Sequence, residues 1–391
     1  MGLLQENFIY LRVNGLWSPI EWSSNNWKLQ VYRLYTTFLI TATYWFGITE
    51  SINLFIIVDT IEDFSDNSFM LLTTIVICVK ANMILSKKWE IRALIAAFEG
   101  HPHKPMNTDE EMIQATFNAR IRLISCIFGA VGEISVLIMT VSVFFQGIPY
   151  GELPYKAWMP YDYSEPLMYW STFCLQLLVV IFLANATIGF DTLLVGMFVL
   201  ICAQFNILKY RLEKAIDEVE RTSILTSDER ISDVMKTCER RIIECVKYHR
   251  EILRISEKMN SLFAGVIFVQ YAASTIVICI SVFMISQVPV LSTKILFIFC
   301  YLLCMLVQIS SLCIAAHQAT FESQQLLIGI FHLKWYVLSN RARGYLILMM
   351  VRTLRPVVFT SGHIAVLSVE SFGTLLKRSY TAYTVLQKSN S

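Results

Sequence analysis

Six stretches of this chain are each apolar enough to enter a lipid bilayer, and that fact excludes most folds open to 391 residues. A helix needs ~20 predominantly apolar residues to cross the hydrocarbon core. Runs at 34–58, 69–85, 123–145, 169–208, 262–285 and 295–316 fit that requirement. A seventh run is broken: 346–358 is too short to span and is interrupted by Arg352, Arg355 and Pro356, whereas 364–386 is long enough. The two pieces read as one split helix. The ten-residue alternation of a transmembrane barrel is missing from these runs, so strands are not expected as the main architecture. Hydrophobic residues make up 55% of the chain and charged ones 16%, too apolar a balance for a surface covered by water. The expected fold class is an all-α membrane protein with seven transmembrane helices, the last of them split.

Lysine and arginine accumulate in cytoplasmic loops and so set the orientation. The segment between the second and third runs carries Lys87, Lys88, Arg92, Lys104, Arg120 and Arg122. Residues 209–258 hold twelve cations, and Lys334, Arg341 and Arg343 follow the sixth run. The first loop on the opposite side has four acids, Asp59, Glu62, Asp63 and Asp66, and no cation; the other two have only Lys156 and Lys294. The N-terminus is therefore expected in the cytoplasm and the C-terminus outside, the inverse of a G-protein-coupled receptor. The partition that follows is a cytoplasmic N-terminus (1–33), four helices (34–208), a cytoplasmic helical segment (209–261), two helices (262–316), a second cytoplasmic segment (317–363) and a final helix with tail (364–391). The first residues lack the basic start and cleavage site of a signal peptide and the hydroxyl residue of an acylation signal, so the first helix is expected to serve as its own insertion signal.

All ten cysteines fall in apolar runs or predicted cytoplasmic segments, so no outer-loop disulfide is expected. Cys238, Cys245 and His249, or His101 and His103, lack the spacing and the fourth ligand of a metal centre. No cofactor is expected. No His, Cys or acid constellation has catalytic spacing, and no nucleic-acid motif is present, so neither an enzyme nor a nucleic-acid partner is expected; His363 reads as a helix cap. The Asn185–Thr187 sequon lies inside the fourth run, where glycosylation is not expected.

The fourth run flows into "LKYRLEKAIDEVER", whose helical periodicity and alternating charge extend it into the cytoplasm. Residues 240–258 and 318–338 read as similar extensions, and together they suggest a helical cytoplasmic base. With this pattern the chain resembles the insect odorant receptors over nearly its whole length. Its ending, "RPVVFTSGHIAVLSVESFGTLLKRSYTAYTVL", is similar to the family's closing signature at Arg355, Pro356, Ser371, Phe372, Leu376, Lys377, Ser379, Tyr380 and Leu386. Glu322-Ser323, Trp335-Tyr336 and "LPYKAWMPYD" are weaker echoes.

The resemblance implies a non-selective, ligand-gated cation channel, tetrameric about a pore lined by the outer piece of the split helix. It implies a tuning subunit that partners the co-receptor Orco in a heterotetramer and binds a small volatile odorant. It also implies a plasma-membrane protein in contact with lipid, in sensory-neuron dendrites. Thr374, Lys377, Thr381, Thr384 and Lys388 recur at steps of three and four, on one helix face. The spacing alone fits either a packing face or a water-facing wall; the resemblance makes it the pore. Matching "YTVL" to the co-receptor's "FMVL" carries the constriction onto Val385, beside Thr381 and Thr384, with Lys388 beyond.

The odorant pocket implied by the resemblance lies in the outer half of the bundle. Candidates by depth are Met70, Thr73 and Ile77 in the second helix and Ser135, Met139 and Ser142 in the third. Phe173 and Leu177 follow in the fourth, and Ile276, Ile280 and Phe283 in the fifth. The outer loop from Ile148 to Trp170, rich in proline and aromatics, is either a lid or an interfacial anchor. Lys80 and Glu133, ionisable groups in neighbouring spans, are expected to pair with each other. A gustatory receptor of the same fold is the nearest rival; Ala382-Tyr383 and Gln387-Lys388 fit its ending poorly.

Overall fold

The computed structural model describes residues 4–19, 22, 26–57, 61–145, 153–225, 228–287, 293–362 and 364–390. The chain is built from ten α-helices among these residues. A short α1 (Gln5–Val13) precedes α2 (Asn26–Ile52), α3 (Ile61–Ser86), α4 (Lys88–Glu99) and α5 (Thr108–Phe145). Then come α6 (Pro166–Leu225), α7 (Asp228–Gln287), α8 (Thr293–His332), α9 (Asn340–Thr353) and α10 (Val369–Asn390). The protein is an all-α membrane protein. Five of these helices, α3, α5, α6, α7 and α8, are long and apolar enough to cross a bilayer. The remaining two expected spans correspond to α2, packed against α3 and α6, and α10, packed against α7 and α8. Its polar residues keep α10 from reading as an apolar span.

Helix length accounts for the shape. At ~1.5 Å per residue, the sixty residues of α6 and of α7 extend roughly 90 Å, three times the hydrocarbon thickness. Residues 209–225 and 228–261 continue these two helices. That charged end is laced by ion pairs between elements: Arg211 with Glu110, Lys334 with Glu220, and Arg341 with Glu239. The core runs along α6, which is buried on nearly all sides from Ala186 to Leu208. Its neighbour α1 packs close because Gly189 and Gly196 carry no Cβ; one added at Gly196 would lie 2.5 Å from Leu4 Cδ2.

The split helix departs from its expected bounds. Ser339 caps the first piece, its Oγ accepting Ala342 N–H, and that piece ends at Thr353, before Pro356. The second piece begins at Val369 rather than Ile364, because a two-stranded hairpin, β1 (Thr360–Ser361) and β2 (Ala365–Val366), precedes it. Gly362 turns the hairpin at a φ of 58°, a conformation that favours glycine, and its N–H donates to Ala264 O of α7. Asn260 Oδ1 accepts Thr360 N–H at 2.8 Å, so the hairpin is fastened to α7 through β1 and the turn. Ser368 then caps α10 through Ser371 N–H. Lys377 accordingly lies only about 12 Å along its helix. His363, read as a cap, lies outside the described residues.

Candidate functional site

A cavity of about 120 Å³ opens between α3, α5, α6 and α8. Met70, Thr73 and Ile77 reach it from α3, since steps of three and four keep them on one face. Gly132, Ser135 and Met139 face them from α5, Leu183 and Thr187 from α6, and Tyr301, Met305 and Gln308 from α8. Gly132 sets the width: a Cβ there would stand 2.5 Å from Ile188 Cδ1. A dry cavity of ~150 Å³ holds one benzene, so this one has room for a comparably small apolar body after slight side-chain adjustment.

The wall is apolar because its hydroxyls are already engaged. Ser135 donates to Val131 O at 2.8 Å and Thr187 to Leu183 O at 2.9 Å, each within its own helix. Thr73 and Tyr301 share a short hydroxyl contact, and Thr73 also donates to Phe69 O. A volatile molecule bound here would meet aliphatic and thioether surface and the Thr73–Tyr301 pair. Such a site selects by shape first, and its methionines adapt to varied ligands.

Beside the cavity lies a buried ionic cluster. Lys80 Nζ donates to both oxygens of Asp191, at 2.8 and 3.0 Å, with both side chains at most 3% exposed. Gln308 Nε2 donates to Asp191 Oδ2 at 2.6 Å, so one carboxylate ties α3, α6 and α8. This corrects the expected Lys80–Glu133 pair. The two residues share a depth, but Lys80 points to α6, whose Asp191 was passed over inside a long apolar run.

Five of the eleven pocket candidates, Met70, Thr73, Ile77, Ser135 and Met139, line this one cavity. The others stand elsewhere. Phe173 stacks with Tyr169 and Trp170 in a small cluster toward the outer end of α6, and Leu177 packs on it. On α7, Ile276 is 49% exposed, while Ile280 and Phe283 pack in the core away from the cavity. The side chain of Ser142 lies outside the described residues. Sequence reasoning named no residue of α8, although Tyr301, Cys304 and Gln308 are polar interruptions in its apolar run.

The outer loop, described from Leu153, is pinned rather than draped over the cavity. Gln176 of α6 bonds both backbone groups of Tyr155, Trp158 N–H donates to Thr49 O, and Tyr155 meets Phe46 edge to face. None of its described residues lines the cavity.

On α10, Thr374, Lys377 and Thr381 are exposed and Thr384 half-buried, whereas Leu375 and Ser379 turn inward. Each of these threonines donates to its own helix, Thr381 to Lys377 O and Thr384 to Thr381 O. The side chains of Val385 and Lys388 lie outside the described residues. Tyr271 OH donates to Ser371 O at 2.8 Å and Ser379 to Thr275 O at 3.4 Å, so α10 hangs from α7 at two heights.

Comparison with known proteins places this geometry. The family model described as "7tm Odorant receptor" matches residues 60–380. Odorant receptor 46a, isoform A, of Drosophila melanogaster is 27% identical, covering 82% of this chain and 79% of its own. Odorant receptor Or1 of Anopheles gambiae is 24% identical over 97% of this chain and 94% of its own. The solved structure of the olfactory receptor OR5 from Machilis hrabei in complex with eugenol superposes with a TM-score of 0.84 at 16% identity, covering 99% and 97% of the two chains.

Proposed function

The chain belongs to the insect odorant receptor family, and from that premise we propose that it is a ligand-specific subunit of an odorant-gated, non-selective cation channel formed with the co-receptor Orco. The observation that carries this reading is the nearly apolar cavity among α3, α5, α6 and α8, suited to a small volatile and unsuited to a charged solute. Eugenol, the ligand in the Machilis structure, is a neutral compound of that kind.

In this reading the odorant enters the cavity from the outer half of the bundle in the plasma membrane of a sensory-neuron dendrite. The charged ends of α6, α7 and α8, with α9, form the cytoplasmic base on which four subunits assemble. The exposed stripe of α10, with Thr381, Thr384 and Lys388, faces a central pore, and Val385 supplies the dewetting constriction. Occupancy shifts the bundle toward a state in which α10 moves outward, and the ligand can bias gating only by as much as it prefers that state.

The test is electrical. Expressed with the co-receptor, the chain should pass volatile-evoked cation current that it does not pass when the co-receptor acts alone. Val385→Ser should raise basal conductance or alter ion selectivity. If no volatile in a broad panel evokes current with the co-receptor present, the reading fails.

A further inference from the structure

A second, smaller cavity of about 30 Å³ shares five wall residues with the first: Thr73, Ile77, Thr187, Met305 and Gln308. It continues toward α7, where Gln270 and Ser274, four residues apart on one face, complete its wall. Gln270 is 1% exposed, and neither its Nε2 nor its Oε1 has a hydrogen-bond partner among the described residues. A buried amide left unpaired on both sides is costly, and such groups in folded proteins call for an explanation. Gln308, whose Nε2 donates to Asp191, makes no hydrogen bond to Gln270.

We infer that this chamber is a polar subsite for the hydroxyl head of an alcohol or phenol whose apolar body occupies the larger cavity. The inference rests on the proposed reading of that cavity as the odorant site. The chemistry follows from the amide. Nε2 offers a proton and Oε1 accepts one, and a single hydroxyl oxygen can do both in return. The volume exceeds the ~10–15 Å³ that one water-sized group requires, and no more than a small head fits. A carboxylate is disfavoured, because Lys80, the buried cation beside the cavity, is already held by both oxygens of Asp191. Between the chambers stands Met305, whose flexible thioether can swing to admit a ligand across both. Gln270 thereby becomes a specificity-determining residue.

Matched hydroxyl and ether compounds test this. The wild-type receptor with its co-receptor, and the purified receptor in thermal-shift measurements, are compared on 1-hexanol against methyl pentyl ether and on eugenol against methyl eugenol, within a wider panel of such pairs. Alcohols should act at lower concentration than their ethers. Gln270→Met, near in volume, should raise the half-maximal concentration for alcohols about tenfold and leave the ethers unchanged. Gln270→His, which keeps a donor and an acceptor, should restore part of the preference. Because the methionine variant removes an unpaired buried amide, its surface level should equal or exceed wild type; Gln270→Leu serves as a second apolar variant. Equal shifts for alcohols and ethers, or none for either, would overturn the subsite, the latter marking a chamber that holds water only. Silence of both assays to the whole panel would refute the odorant reading itself and the subsite with it.

Discussion

Removing one member of the Lys80–Asp191 pair is the most informative perturbation of the bundle. At 2.8 Å, and with a dielectric constant of about 20, the gross attraction is about 6 kcal/mol. Desolvation of two buried ions opposes it by several kcal/mol each, so the intact pair is close to neutral against apolar residues of similar volume. Lys80→Met leaves the Asp191 carboxylate with Gln308 Nε2 alone, and the expected cost is about 3–5 kcal/mol. Asp191→Leu strands the ammonium beside the Phe190 ring, 5.2 Å from its centroid, at a similar cost. The double variant Lys80→Met/Asp191→Leu removes both charges and strands only the Gln308 amide, a loss of about 1–3 kcal/mol. Thermal unfolding of purified receptor in detergent, with surface abundance as a second readout, should rank wild type first, the double variant next and both singles last. A double variant as unstable as the two singles summed would refute the pairing, because independent sites add.

Two further outcomes follow from the same geometry. His103 is buried, with Nδ1 2.8 Å from Gln204 Oε1, and burial holds its pKa below the ordinary imidazole value; the unfolded chain therefore takes the proton first. Its contribution to stability is complete above about pH 6.5 and is lost as pH falls from there toward the folded-state pKa, so melts between pH 7.5 and 5 should show an acid loss that His103→Gln removes. Tyr271→Phe deletes the bond to Ser371 O at the start of α10. It should reduce ligand-evoked current several-fold while ligand-induced thermal shifts stay unchanged, and parallel loss of both would make the contact structural only.

What the sequence revealed depended on whether polar residues marked a helix face. On α3, Met70, Thr73 and Ile77 sit at one depth and one spacing, with a polar member to orient the set, and they meet in the cavity. The stripe of α10 was legible for the same reason. On α6, nearly continuous burial erases amphipathic contrast, so Asp191 disappeared into the apolar average and Lys80 was matched by depth alone to Glu133. Depth fixes the height of a residue but not its azimuth about the bundle, which packing decides. The α7 candidates Ile276, Ile280 and Phe283 illustrate the same gap, because the α7 face that borders the second cavity carries Gln270 and Ser274 instead. The late start of α10 was hidden by Ile364, Ala365 and Val366, which lengthen an apolar run yet fold as a turn residue and the second strand of a hairpin.

These placements also bear on how occupancy could reach α10, the helix proposed to line the pore. Among the helices around the two cavities, α3, α6 and α8 are clamped to one another by Lys80, Asp191 and Gln308. Of the other two, α5 and α7, it is α7 that meets the smaller cavity, through an amide that has no such tie. Under the proposed reading, a group entering the chamber would act on α7 against the wall tied by Lys80, Asp191 and Gln308. Within α7, Gln270 and Ser274 form one face, and Tyr271 and Thr275, about 100° round the helix, form the next. That second face holds α10, through the Tyr271 hydroxyl and the Thr275 carbonyl. In the proposed reading, the ligand head and α10 would thus grip adjacent faces of the same two helical turns. A rotation of α7 by a fraction of its residue step then moves the start of α10 without disturbing the clamped wall, and the hairpin fastened at Ala264 and Asn260 provides the pivot below it.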